Sequence, residues 1–117
     1  MNTRCIGKNF EEYAANYLIE KGYKIIDRNF KCTYGEIDII AKKDNVLCFI
    51  EVKARSKKDF GSPLEAVTIN KQKRMVNVAQ YYCFKNKLKE TPLRFEAIGI
   101  DLSLNPPRIE HIMNIFA

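Results

Sequence analysis

The sequence predicts an α/β domain with a mixed central sheet. Apolar residues recur at helical spacing near the start, and Ile/Val/Phe-rich runs follow. A second helical stripe then precedes two more strand-like runs. At 117 residues the chain is expected to form one domain, 1–117. A chain of that size can bury a core without disulfides or metals as staples.

Residues 7–21 read as a helix, with Phe10, Tyr13, Ala14, Tyr17 and Leu18 on one face and Gly22 as a C-terminal stop. Residues 23–30 read as a strand, and 31–35 as a turn. Residues 35–41 and 46–53 are two further strands, joined by a polar break at Lys42-Lys43-Asp44-Asn45 that suits a hairpin. Ser62-Pro63-Leu64-Glu65 carries a capping box with proline at the first helical position, so a short helix is expected there. A second start near Thr68 leads into a longer helix whose stripe is Met75, Val76, Ala79, Tyr82 and Cys83. Thr91-Pro92 ends it; residues 94–102 and 109–115 are the last strands, separated by a turn at Asn105-Pro106-Pro107.

Hydrophobic content of 46% and charged content of 29% are ordinary for a soluble globular protein. No apolar run approaches the ~18 residues of a membrane span. The first ten residues hold no apolar signal core, so a cytoplasmic location is expected. Cys5, Cys32, Cys48 and Cys83 show no C-x-x-C spacing and no histidine cluster, which points to free thiols. Net charge is +6, gathered in clusters such as Lys53-Ala54-Arg55-Ser56-Lys57-Lys58 and Lys71-Gln72-Lys73-Arg74. These flank one acidic stretch, a pattern that fits an electrostatic footprint for nucleic acid better than it fits scattered solvated faces.

That acidic stretch carries the chemistry. If Asp44-Asn45 forms a two-residue loop, Lys43 pairs with Val46 and Asp38 lies opposite Glu51. Directly opposed side chains stand ~4.5–5.5 Å apart at Cβ. Glu51 and Lys53 are two apart and share a face. Cys48, Ile50 and Val52 face the other way. Like charges so placed repel, and a divalent cation between them reverses the sign of that interaction. Carboxylates are hard ligands suited to magnesium or manganese, and a lysine beside them can stabilise developing negative charge. The competing account is structural: an ion pair from Lys53 to Glu51 or Asp38 at the sheet rim.

An acid on one strand followed by Glu51-Val52-Lys53 on the next resembles the PD-(D/E)xK nuclease superfamily. Residues 35–41, Phe49-Ile50-Glu51-Val52-Lys53-Ala54-Arg55 and residues 60–67 narrow the resemblance to the uncharacterised YraN-like family. Arg94-Phe95-Glu96 and Ile109-Glu110-His111-Ile112 extend it over nearly the whole chain. That family is similar to Holliday-junction resolvases, which implies a restriction-endonuclease-like αβββαβ core. The resemblance implies Asp38 and Glu51 as metal ligands, Lys53 as the catalytic lysine and Glu11 as a further acid. Phe10 stands where the family has the second glycine of Gly-x-x-Gly-Glu, and Glu96 where aspartate is usual.

The expected function is a magnesium- or manganese-dependent endonuclease acting on DNA, branched or otherwise structured. The alternative is a nucleic-acid-binding module that keeps the fold without cleavage. Arg55, Lys57 and Lys71 are the expected phosphate contacts, with Gln72 beside them. Glu36 could be a third acid or a partner of Lys53. His111, the single histidine, is expected to be a surface or satisfied core residue. A homodimer is an expectation from resolvase-like folds, because a symmetric junction suits a two-fold protein. No membrane partner is expected.

Overall fold

The computed structural model describes residues 9–55 and 67–116. Helix α1 (Phe10–Glu20) leads into strands β1 (Lys24–Cys32), β2 (Gly35–Lys43) and β3 (Val46–Arg55). Helix α2 (Ile69–Lys85), β4 (Leu93–Asp101) and β5 (Arg108–Ile112) follow. The five strands form one sheet in the order β1-β2-β3-β4-β5. The β3–β4 pair is parallel and the other three are antiparallel, so the sheet is mixed as expected. The helices lie on opposite faces, an arrangement consistent with a restriction-endonuclease-like core.

Local chemistry explains the element ends. After α1, Gly22 adopts φ +93°, Tyr23 N donates to Leu18 O and Gly22 N to Ile19 O. That bond pair is a Schellman stop, which glycine enters without a Cβ clash. Asp44 and Asn45 have φ of 51° and 66°, as a two-residue type I′ hairpin turn requires. Lys43 pairs with Val46. Thr68 caps α2, its hydroxyl accepting from Lys71 N at 3.2 Å.

The strands alternate between two cores. Ile39, Ala41, Cys48, Ile50, Val52, Ile98 and Ile100 pack with Ala14 and Leu18 beneath α1. Leu47, Phe49, Ile40 and Ala97 pack with Met75, Val78, Ala79 and Tyr82 of α2.

Strand ends and one helix face differ from expectation. The β1 strand continues through Cys32, which pairs with Gly35, so only Thr33 and Tyr34 turn. The last strand stops at Ile112 rather than running to 115. Ile115 is buried because the chain folds back, its N–H donating to Phe95 O at 2.9 Å; the apolar pattern there reflects packing under α2, not strand continuation. Val78, absent from the expected stripe of α2, is fully buried. The expected short helix at Ser62 lies outside the described residues. No described helix is long and apolar enough to cross a membrane.

Candidate active site

The β2–β3 ladder runs from Lys43–Val46 back to Ile39–Ile50. Continuing it by one step sets Asp38 against Glu51, but there the side chain takes over. Asp38 Oδ2 accepts from Val52 N at 2.8 Å. The period-two alternation also breaks at this point: Ile37 packs on the α2 face and Ile39 on the α1 face, although both are fully buried. Asn29 of β1, with φ 53°, lies level with the break. Asp38 therefore sits where two strands begin to part, and its carboxylate substitutes for a ladder bond.

Glu51 follows Leu47 and Phe49 onto the α2 face and is buried. Its Oε1 is 3.0 Å from Lys71 Nζ, which reaches down from the first turn of α2. Its Oε2 is buried with no hydrogen-bond partner among the described residues. Burial, then the charge of Asp38, pushes the Glu51 carboxyl up to about 7, against the opposing pull of Lys71. Glu11, in the first turn of α1, also has a raised pKa, through burial and then the charge of Asp38, opposed by Arg28 and a hydrogen bond with Asn29. Asp38 is thus the common electrostatic neighbour of Glu51 and Glu11, one acid from each side of the sheet.

A pocket of about 200 Å³ opens at this point, lined by Gly35, Glu36, Glu51, Lys71, Arg74 and Met75. Gly35 in its wall has φ +138°, a backbone conformation that strains residues with a side chain; the space itself would admit a Cβ, at an ordinary 3.6 Å from Val78 Cγ2.

The other expected residues fall into place unevenly. Lys53 is exposed, and the cation that pairs with Glu51 is Lys71. The rim ion pair from Lys53 to Glu51 or Asp38 does not form among the described residues. Glu36 is exposed and 3.9 Å from Lys31, not from Lys53. Arg55 is exposed at the end of β3, level with Asp101 of β4. Lys57 lies outside the described residues. Gln72 is turned inward: its Nε2 donates to Val67 O at 3.1 Å and braces the start of α2. Glu12 pairs with Arg28 at the surface.

A second polar cluster occupies the α1 face. Glu96 is fully buried and accepts from Tyr23 hydroxyl at 3.0 Å, Arg94 Nε at 2.8 Å and His111 Nε2 at 2.6 Å. The other ring nitrogen, Nδ1, lies 3.1 Å from the Tyr17 hydroxyl. Burial alone would raise the Glu96 pKa, but the hydrogen bonds from His111, Arg94, Cys48 and Tyr23 hold it below the usual carboxylate value. His111 is thus a satisfied core residue. Burial, then Glu96, pushes the Cys48 thiol up to about 12, so Cys48 is an inert packing residue and not a nucleophile.

The family described as "Uncharacterised protein family UPF0102" matches residues 10–100, which include Glu11, Asp38, Glu51, Lys53 and Lys71. The chain belongs to the UPF0102 family. It is 47% identical over 116 residues to a UPF0102 protein of Clostridioides difficile, covering 99% of this chain and 100% of that one. A UPF0102 protein of Caldanaerobacter subterraneus is 42% identical over 119 residues, covering 99% and 98%. One from Thermodesulfovibrio yellowstonii is 46% identical over 111 residues, covering 95% of each. Among the described residues of this UPF0102 protein, no group of three or more His, Cys, Asp and Glu is placed to hold a metal ion. The donors that the fold brings together are the Asp38–Glu51 pair, with Glu11 within electrostatic reach.

Proposed function

We propose that this UPF0102 protein is a metal-dependent endonuclease for DNA, branched or otherwise structured. The observation that supports it best is the buried Glu51 Oε2, which lacks a hydrogen-bond partner among the described residues and belongs to a carboxyl within electrostatic reach of Asp38. Two hard oxygen donors with an unfilled demand for positive charge suit a small divalent cation. In this reading Asp38 and Glu51 hold magnesium or manganese, and Glu11 adds a further acid from α1. The bound ion supplies Lewis acidity toward a phosphodiester and makes water a stronger acid.

The protein's own residues do the rest. Lys53, on the exposed rim of the same strand, places an ammonium where negative charge develops on phosphate. Lys71 and Arg74 bring positive charge to the pocket wall. Asp38 has its geometry fixed by the Val52 N–H, so the ligand pair is pre-organised rather than free to splay.

A non-catalytic DNA-binding module is the second reading, favoured by the Lys71–Glu51 ion pair, which puts an ammonium on one carboxylate oxygen. A substrate panel separates the two. Single-stranded, duplex, flap and four-way DNA are incubated with and without magnesium or manganese, using wild type, Asp38→Ala and Glu51→Ala purified identically. Cleavage by wild type alone, abolished by chelator, supports the nuclease. Salt-sensitive binding with no cleavage of any substrate leaves the binding module.

A further inference from the structure

Beside the acidic pocket lies a second groove, of about 460 Å³, lined by Tyr34, Asn77, Gln80, Tyr81 and Phe84. Phe84 is 83% exposed and Tyr34 52% exposed. Exposed aromatics gathered in one place form the kind of patch that marks a contact surface. The Tyr34 and Tyr81 rings meet tilted, 6.1 Å apart at 54°, and are not stacked face to face. Asn77 and Gln80 line the same groove with amide donors and acceptors.

The groove and the acidic pocket are both lined by helix α2 and by the segment 34–36. Tyr34 precedes Gly35, which lines the acidic pocket, and Tyr81 lies two turns along α2 from Arg74 of that pocket. The seven-residue step from Arg74 to Tyr81 spans about 10 Å of helix, or about three nucleotides of strand at ~3.4 Å each. Helix α2 carries Lys71, Lys73, Arg74 and Lys85 and no acidic residue. Such a helix attracts a polyanion along its length. Glu36, at the start of β2, is 3.9 Å from Lys31.

Resting on the nuclease reading, we infer that Tyr34, Tyr81 and Phe84 form a stacking platform for an unpaired base, so that the substrate is DNA with a single-stranded segment leading into the Asp38–Glu51 site. Aromatic faces accept any base, and the amides offer hydrogen bonds to its edge. A fully paired duplex hides its base faces and gains nothing from the platform, whereas a flap, tail or open junction does.

The experiment is binding in chelator, read by anisotropy, of three labelled probes: a blunt DNA duplex, the same duplex with a single-stranded tail, and that tailed duplex with an RNA tail. Wild type is expected to bind the DNA-tailed probe at least ~5-fold more tightly than the blunt one. Phe84→Ala and Tyr34→Ala are expected to lose ~5- to 100-fold on the tailed probe while leaving the blunt duplex unchanged. Both side chains face solvent, so folding is preserved, and Phe84→Trp is expected to keep the preference. The chain has no tryptophan, so quenching of tyrosine fluorescence by an unlabelled thymidine oligonucleotide gives an independent reading of stacking in wild type. Equal binding of blunt and tailed probes, or variants that keep the preference, would overturn the inference. So would tighter binding of the RNA tail, or a concentration-dependent dimer in sedimentation that Phe84→Ala dissolves without any effect on DNA. Because chelator removes catalysis, these outcomes are independent of cleavage: the stacking preference can stand if no substrate is cut, and Asp38-dependent cutting of blunt duplex can stand if the preference fails.

Discussion

Lys71 Nζ lies 3.0 Å from Glu51 Oε1, while the second oxygen of that carboxylate, which also feels the charge of Asp38, is buried without a hydrogen-bond partner among the described residues. One side of Glu51 is neutralised by α2 and the other calls for a proton or a cation. The behaviour of the site follows from that asymmetry.

Stability and metal affinity should both depend on pH, with opposite signs. The Glu51 carboxyl is raised to about 7, above its unfolded value, by burial and then by Asp38. Between the unfolded and folded values the native state holds more protons than the unfolded one. Stability of the metal-free protein is therefore expected to fall as pH rises through this window. A divalent cation replaces the proton, so the rise in Tm on adding manganese should be larger near pH ~8 than near pH ~6. An equal rise at both values, or the same rise in Asp38→Asn, would remove the shared-cation account.

Asp38 should show two separable roles. Asp38→Asn keeps an oxygen for the Val52 N–H but removes the charge facing Glu51. Its metal-free stability is expected to equal or exceed wild type, with cleavage lost. Asp38→Ala also orphans the amide, at a cost of ~1–3 kcal/mol. Urea denaturation of the two variants distinguishes them; equal destabilisation would show that the hydrogen bond has no weight.

Lys53 should matter to rate and not to folding. The side chain is exposed, so Lys53→Ala is expected to move stability by less than ~0.5 kcal/mol. Loss of a pre-organised charge at the reacting phosphate costs ~10²–10³ in rate. Glu11→Ala should have the smaller effect, because Glu11 reaches the site through Asp38. Single-turnover cleavage at saturating metal measures both, and an unimpaired Lys53→Ala would pass the catalytic role to Lys71.

The Glu96 cluster should hold the fold without touching the chemistry. Glu96→Ala leaves Arg94, Tyr23 and His111 without their acceptor, and removing one partner of a buried ionic network costs ~3–5 kcal/mol. Because the Glu96 pKa is depressed, its contribution is present above the unfolded value and lost as pH falls through the folded one. Chemical denaturation near neutral pH and in acid tests this: the gap between wild type and variant should shrink in acid.

DNA binding should weaken steeply with salt, since lysines and arginines on phosphates release counterions. Arg55→Ala, Lys57→Ala and Lys71→Ala are each expected to lower affinity with little sequence dependence. Lys71→Ala should in addition tighten divalent-ion binding, by removing the ammonium that competes for Glu51. A flat salt titration would contradict the footprint.

The order of elements and the β2–β3 register were set by local sequence. Asp44 and Asn45 can take positive φ, so they fix a two-residue turn; period two then carries the pairing to Ile39–Ile50 and faces Glu51 away from Ile50. Each of these choices depends on residues a few positions apart. Which cation meets Glu51 does not: Lys53 is two residues away yet exposed, and Lys71 is twenty away yet in contact, because α2 docks on the face that Glu51 shares with Phe49. The approach of Glu11 to Asp38, the break in alternation between Ile37 and Ile39, and the burial of Glu96 beneath α1 were likewise decided by helices packing on the sheet. Periodicity says which face of an element is apolar, but long side chains and non-local docking decide what stands opposite it.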